Sequence, residues 1–198
     1  MTKLILIRHG QTNSNLEKRY SGTIDSPLNE NGIKQCEALH LKLKDIVIDK
    51  VYSSDLQRAV HSASIIFKDL LIKKEPAFRE MNFGIFEGLT YDEIMKKYAD
   101  CYTNWIDNFA DCMIPEGESI LSLKDRVIPR LNSIITENKG KTIALLSHGG
   151  IIRVILCYVL NYGAEKFWEM EQDNCALNII DYVEDESPKV IKMNEVIL

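Results

Sequence analysis

The chain has 198 residues, of which 45% are hydrophobic and 27% are charged. This composition is ordinary for a globular protein and excludes collagen-like, disordered and coiled-coil classes. With 24 basic and 29 acidic side chains the formal net charge is −5, which argues against a dedicated nucleic-acid binder. The length fits one domain, and we predict a single domain over residues 1–198.

The predicted elements of the first half begin with a buried strand over 3–8, which ends in a polar stretch that contains glycine. Apolar residues at three- and four-residue steps predict an amphipathic helix over 33–46. A short strand over 49–53 follows. Asp55 is placed to cap the next helix, whose apolar face is set by residues between 56 and 67.

The second half opens with an irregular stretch over 76–90. The pattern then predicts a helix over 91–109, a helix over 119–138 kinked at Pro129, a strand over 142–146, a helix over 151–160, and strands over 177–183 and 190–193. We interpret residues 76–117 as an insertion over the sheet, or lid. Strands that alternate with helices predict an α/β fold, a three-layer α/β/α sandwich with a mostly parallel central sheet.

Cellular compartment follows from what the sequence lacks. The longest apolar run, 151–160, is interrupted by Arg153 and is too short to cross a bilayer. The first residues lack the pattern of a signal peptide. Five scattered cysteines form no CxxC pair and share no spacing with histidines, which favours reduced thiols over disulfides or a zinc site. We therefore expect a cytoplasmic protein with no membrane contact.

Two histidines follow predicted strands directly. His9 and His148 each stand just after an apolar strand and just before a glycine. The carboxyl ends of parallel strands meet at one edge of the sheet, so the two rings can lie together despite their separation in sequence. Taken singly, either histidine has an equally good explanation as a hydrogen-bonded structural residue.

Two arginines extend this candidate site. Arg8 adjoins His9, and Arg58 lies early in the helix that follows the second strand. On a helical wheel Arg58 falls opposite the apolar face, so taken alone it is an ordinary surface arginine. Together with the histidines the arginines would form a cationic pocket, and guanidinium groups match phosphate oxygens in geometry and charge. A phosphoryl group is the expected ligand.

Six blocks of sequence, in order along almost the whole chain, carry a family resemblance. They are Leu6-Ile7-Arg8-His9-Gly10-Gln11-Thr12 with Asn15; Ser21-Gly22 with Asp25, Pro27-Leu28 and Gly32; Ser53-Ser54-Asp55-Leu56-Gln57-Arg58-Ala59; Glu80 with Phe83-Gly84 and Glu87-Gly88; Gly117-Glu118-Ser119; and Ser147-His148-Gly149. This pattern resembles the histidine phosphatase superfamily, which includes the cofactor-dependent phosphoglycerate mutases. The resemblance implies a phosphoglycerate mutase-like fold.

The resemblance also implies roles. His9 would be the nucleophile that forms a phosphohistidine, and Arg8, Arg58, His148 and Asn15 would hold the phosphoryl oxygens. Ser21, Gly22 and Gly149 belong to the same matching blocks, and we assign them to the phosphate- and substrate-binding set. No metal and no cofactor is required by this arrangement.

A proton for the leaving group would come from the residue that matches the family's acid, Glu80. Nearby phosphate charge and partial burial would raise the pKa of this carboxyl and let it act first as acid and then as base. Without the resemblance, Glu80 is an ordinary loop glutamate. Glu87 is the competing carboxylate.

Hydrolysis is favoured over phosphoryl transfer between metabolites. The mutases typically carry Arg-His after the catalytic glutamate, whereas this chain has Met81-Asn82. The motif style is similar to the α-ribazole-5′-phosphate phosphatases of cobalamin biosynthesis, so the expected partner is a small phosphorylated metabolite. Two alternatives stay open: a cofactor-dependent phosphoglycerate mutase, and a non-catalytic module that binds phosphorylated ligands. The oligomeric state is also open, with a homodimer among the options.

Aromatic residues of the 76–117 segment have two interpretations. They could cover a ring of the substrate or pack against the domain. The residues concerned are Tyr91, Tyr98, Tyr102, Trp105 and Phe109.

Overall fold

Six strands form one sheet in the computed structural model, which describes residues 1–197. They are β1 (Thr2–Arg8), β2 (Lys50–Ser53), β3 (Ile72–Lys74), β4 (Thr142–Ser147), β5 (Leu177–Tyr182) and β6 (Lys189–Glu195). Across the sheet the order is β3-β2-β4-β1-β5-β6. Within the described residues five strands run in one direction, and β5 alone runs in the opposite direction between β1 and β6. The prediction of a mostly parallel central sheet is confirmed.

Helices cover both faces of this sheet. They are α1 (Asn13–Leu16), α2 (Glu30–Leu43), α3 (Gln57–Ile66), α4 (Tyr91–Asp107), α5 (Ile120–Glu137) and α6 (Gly149–Val159). Successive side chains of a strand point to opposite faces. Ile5 and Ile7 of β1 therefore pack with α2 and α3, while Leu4 and Leu6 pack with α5 and α6. The two apolar clusters make the predicted three-layer α/β/α sandwich.

Two helix starts differ from the sequence prediction. Helix α2 begins at Glu30, because the side chain of Asn29 accepts a hydrogen bond from the backbone N–H of Gly32 and caps the helix there. Asp55 does not cap α3. The carboxylate of Asp25, from a distant loop, accepts from the backbone N–H of Gln57 instead, at 2.5 Å. Asp55 forms an ion pair with Arg79.

Two further features of the chain escaped the sequence pattern. Strand β3 has only three residues, two of them exposed lysines, so it lacks an alternation of apolar and polar positions. Helix α5 continues through Pro129 as one helix, whereas α4 is broken at Tyr98, whose φ of −141° is not helical. No proline stands at that break.

The 76–117 segment packs against the face of the sheet that α5 and α6 cover. Trp105 of α4 is fully buried and lies edge-on to Tyr20 and Tyr102. These contacts support the packing interpretation of the aromatic residues, and the role of the segment as a lid stays a prediction. None of the helices formed by residues 1–197 has the length and apolar character needed to span a membrane.

Candidate active site

The site is built at the carboxyl edge of the parallel strands. Register places Arg8 of β1 opposite Ser147 of β4, and the backbone N–H of His9 donates to the carbonyl of Ser147 at 3.0 Å. His9 and His148 therefore leave adjacent strands side by side. Their ring centroids lie 5.2 Å apart.

His9 is buried, and its ring orientation is fixed by one hydrogen bond. Its Nδ1 lies 2.7 Å from the carbonyl oxygen of Gly10. A carbonyl only accepts, so Nδ1 carries the proton and Nε2 keeps its lone pair. Burial, followed by the positive charges of Arg58 and Arg8, holds the pKa of His9 well below its usual value. The ring is thus neutral at neutral pH.

His148 has the opposite tautomer. The Nε–H of Arg58 donates to Nδ1 of His148 at 3.3 Å, so the proton of this neutral ring is on Nε2. That Nε2 is buried and has no partner among residues 1–197. Burial, and then the charge of Arg58, lowers the pKa of His148 well below the ordinary value. The side chain therefore offers a neutral N–H donor.

Arg8 offers a second unused donor. Its Nη1 donates to the carbonyl of Gln172 at 2.6 Å, which fixes the guanidinium. Its Nε is buried and lacks a partner in the described part of the chain. Unpaired buried donors are costly, and such groups are typical of a site that binds an acceptor.

Arg58 is fully engaged by the protein. It is 2% exposed, which contradicts the surface position that the helical wheel indicates. Its Nη2 donates to the carbonyls of Ser21 and Gly22, and its Nη1 donates to the carbonyl of Ile24 and lies near Asp25. Ser21 and Gly22 thus contribute backbone oxygens that hold Arg58. A direct contact between Arg58 and phosphate stays a prediction.

Asn15 is linked to His9 through a shared neighbour, Asn174. Asn174 donates from Nδ2 to the carbonyl of His9 and to Oδ1 of Asn15, each at 3.1 Å. Oδ1 of Asn15 also accepts from the backbone of Thr12. The Nδ2 of Asn15 donates to no group within residues 1–197, so it is available to a ligand.

Glu80 is held at the start of α6. Its Oε2 accepts from the backbone N–H of Gly150 at 3.1 Å, and its Oε1 accepts from that of Met81 at 2.9 Å. A carboxylate is stabilised at a helix N-terminus by the local backbone donors. The carboxylate stands in the same cleft as Arg8 and Gly149.

Glu87, the competing carboxylate, has a structural position. Its two oxygens accept from the backbone N–H groups of Gly22, Thr23, Ile24 and Phe83. These bonds tie the 21–24 loop to the segment that follows Glu80. The geometry therefore favours Glu80 over Glu87 as the group that faces a ligand.

Arg126, which the sequence analysis did not single out, supports Glu80 together with Glu118. Arg126 donates to the backbone carbonyls of Glu80 and Ala77 and forms an ion pair with Glu118. Glu118 also accepts from the backbone of Asn82. The Gly117-Glu118-Ser119 block was the one sequence signal for this support of Glu80. Arg126 lies in an amphipathic helix, and the sequence pattern did not mark it as part of the site.

Comparison with known proteins identifies the family. The sequence model of the histidine phosphatase superfamily (branch 1) matches residues 4–196. The chain belongs to the histidine phosphatase superfamily. The expectation of a phosphatase-type enzyme from this superfamily is confirmed.

The names of individual relatives of this histidine phosphatase state different substrates. Phosphoserine phosphatase 1 of Hydrogenobacter thermophilus is 31% identical over 98% of this chain and 92% of its own. The α-ribazole phosphatase of Shigella flexneri superposes with a TM-score of 0.90 at 28% identity, over 98% of this chain and 96% of its own. Phosphoserine phosphatase of Entamoeba histolytica, solved with 3-phosphoglyceric acid, superposes with a TM-score of 0.90 at 28% identity. The match covers 99% of this chain and 98% of the other. The phosphoglycerate mutase-like fold is confirmed by this agreement.

Proposed function

We propose that this protein hydrolyses phosphomonoesters without a metal, through a phosphohistidine on Nε2 of His9. The observation that carries the proposal is the hydrogen bond from Nδ1 of His9 to the carbonyl of Gly10, which leaves the Nε2 lone pair free on a neutral ring. A neutral imidazole is a competent nucleophile, and a covalent intermediate divides one difficult displacement into two easier ones.

The first step forms the bond between Nε2 of His9 and phosphorus and breaks the ester bond between phosphorus and oxygen. Glu80 enters this step as the neutral acid, beside the negative charge of the bound phosphate, and its carboxyl becomes a carboxylate by giving its proton to the leaving alkoxide. In the second step water attacks phosphorus and gives a proton to the carboxylate of Glu80, while the phosphorus–nitrogen bond breaks. Inorganic phosphate leaves, and both side chains return to their starting states.

Charge on the transferring group is stabilised by donors that have no other partner. These are the Nε2–H of His148, the Nε–H of Arg8 and the Nδ2 of Asn15. The first two need no reorganisation to meet a phosphoryl oxygen, because they are buried and already fixed by the hydrogen bonds at their other ends. Arg58 adds positive charge and positions His148, and Gly149 lies against the guanidinium of Arg8.

Hydrolysis is favoured over mutase activity by the residues after Glu80. Met81 is 2% exposed, and the side-chain amide of Asn82 is already bonded, since it accepts from the backbone N–H of Gly84 and donates to the carbonyl of Glu116. Neither side chain replaces the Arg-His pair that the mutases typically carry directly after the catalytic glutamate. The substrate is a small phosphorylated metabolite, and names of relatives suggest two classes, α-ribazole 5′-phosphate and phosphoserine.

The deciding experiment is steady-state hydrolysis of an activated aryl phosphate in the presence of a chelator, with the parent protein, His9→Ala and Glu80→Gln. Turnover should survive chelation, vanish in His9→Ala and fall in Glu80→Gln. If the parent is inactive, a mutase assay primed with a bisphosphoglycerate follows. Inactivity in both assays would support the non-catalytic binding module.

A further inference from the structure

Arg153 is a charged residue in the most apolar helix of the protein. It lies on α6, three residues after Gly150, and interrupts an otherwise apolar run. A cationic side chain at such a place needs a reason, because burial of part of the guanidinium costs free energy. This burial also lowers the pKa of Arg153.

The guanidinium is held in place but not neutralised. Its Nε donates to the carbonyl of Met170 at 3.0 Å, and its carbon lies 5.5 Å from the ring centroids of both Phe167 and Trp168. Neither Nη1 nor Nη2 donates to a group in residues 1–197, and no carboxylate of that range lies within ion-pair distance. A positioned arginine with two free donors is typical of anion recognition.

Arg153 lines the same cleft as Arg8 and the proposed acid, Glu80. This cleft, of about 140 Å³, is lined by Arg153 and Trp168 together with Arg8, Glu80 and Gly149. Arg8 and Glu80 would contact the phosphoryl group and the leaving oxygen. A leaving group whose oxygen faces Glu80 would therefore occupy the cleft that Arg153 also lines.

The charges around the cleft favour a monoanion. Arg153 carries a single positive charge, and the carboxylates whose charge raises its pKa are those of Glu80 and Glu171. A carboxylate matches a guanidinium in charge and in its two-oxygen geometry. A doubly charged second phosphate would meet more repulsion from Glu171, and an uncharged sugar or base would leave the guanidinium unpaired.

We infer that Arg153 is a specificity-determining residue that binds a carboxylate on the leaving group, so the preferred substrates are phosphorylated hydroxy or amino acids. This inference rests on the proposed function, whose site it deepens. Trp168 and Phe167 keep the guanidinium plane in place, and the Met170 carbonyl fixes its direction.

The test uses substrate pairs that differ in one group. 3-Phosphoglycerate and glycerol 3-phosphate share a carbon skeleton and differ in carboxylate against hydroxymethyl. Phosphoserine and phosphoethanolamine differ by the carboxylate alone. The parent protein should show a higher kcat/KM for the carboxylate member of each pair, and Arg153→Met should lose that preference. The expected loss on 3-phosphoglycerate is on the order of 10- to 100-fold, the range for a hydrogen bond to a charged group.

Controls separate this inference from the general phosphatase proposal. The loss in Arg153→Met should be larger on 3-phosphoglycerate than on p-nitrophenyl phosphate or glycerol 3-phosphate, and thermal unfolding checks that the variant folds. Arg130→Met, which removes an arginine paired with Glu75 far from the cleft, is the matched arginine control. An equal loss on all substrates in Arg153→Met, or no carboxylate preference in the parent, would overturn the inference. So would faster turnover of α-ribazole 5′-phosphate than of 3-phosphoglycerate.

A binding measurement keeps the inference testable if turnover is absent. Calorimetry on His9→Ala should give tighter binding of 3-phosphoglycerate than of glycerol 3-phosphate, and adding Arg153→Met should remove the difference. If the parent protein is inactive on p-nitrophenyl phosphate but the binding difference between the two ligands is present, the result contradicts the phosphatase proposal and supports the carboxylate site. An active parent without the difference would contradict the carboxylate site alone.

Discussion

The Nε–H of Arg58 donates to Nδ1 of His148 over 3.3 Å, and this single bond sets the tautomer of the histidine. It also ties the 21–25 loop to the site, because the other donors of Arg58 are bonded to that loop. Loop position and ring protonation are therefore coupled through one side chain.

Arg58→Lys should lower both activity and stability. A lysine keeps the charge but lacks the planar fork, so Nδ1 of His148 and the loop carbonyls lose donors together. We expect kcat on an aryl phosphate to fall at least tenfold and the free energy of unfolding to drop by about 2–4 kcal/mol. Urea unfolding and steady-state kinetics measure both. A lysine variant with parental kinetics would show that Arg58 acts through charge alone.

The two carboxylates should respond differently to amide substitution. Glu80→Gln removes the proton donor, so we expect turnover of an alkyl phosphate, which has a poor leaving group, to fall about 10²- to 10⁴-fold, and turnover of an activated aryl phosphate to fall less. Glu87→Gln replaces one acceptor oxygen by an NH₂ that faces backbone N–H donors. It should lower the midpoint of thermal unfolding and affect both substrates alike. A substrate-dependent loss of turnover in Glu87→Gln, with only a loss of stability in Glu80→Gln, would show that Glu87 is the acid.

Gly150→Ala tests the position of Glu80 without changing its chemistry. A Cβ at residue 150 would lie 2.5 Å from Oε1 of Glu80, so the flexible carboxylate has to move. We expect activity on alkyl phosphates to fall towards that of Glu80→Gln, while the helix start gains up to about 1 kcal/mol from the better helix former. Unchanged activity together with unchanged stability would mean that the contact with Gly150 does not position the carboxylate.

Stability should fall on mild acidification because two histidines are buried as neutral rings. Their folded-state pKa values lie well below the ordinary value, so below about pH 6.5 the unfolded chain binds protons that the folded protein does not. Each histidine thus contributes stability that is fully present above about pH 6.5. Below that pH the free energy of unfolding falls by about 1.4 kcal/mol per pH unit for each histidine. Urea unfolding between pH 7.5 and pH 5 measures the slope, and His148→Gln should reduce it. A flat profile would contradict the assigned pKa directions.

The sequence predicted which strand ends form the site better than it predicted the hydrogen bonds between the side chains there. His9 and His148 could be placed together because both follow apolar strands and parallel strands end at one edge. Arg58 could not be placed correctly by the helical wheel, since the loop that buries it comes from residues far away in sequence. The same reason explains Asp25, which caps α3 from another part of the chain.

The unpaired state of Arg153 depends on tertiary structure for the same reason. Its interruption of an apolar run was visible in the sequence, but the Met170 carbonyl and the two rings that hold it come from the turn after α6. Short-range pattern also failed at β3, whose three residues carry no periodic signal. Local periodicity thus predicts which elements exist, and long-range hydrogen bonds decide which side chains face the cleft.

The most direct test of the account is to trap the intermediate. Glu80→Gln should accumulate phosphorylated protein from an activated aryl phosphate, because that leaving group needs little help from an acid while the attacking water still lacks its base. After an alkaline quench, peptide mass spectrometry should find one phosphoryl group on His9, labile to acid and absent in His9→Ala. Active protein with no label on His9, or with label on another residue, would contradict the phosphohistidine mechanism.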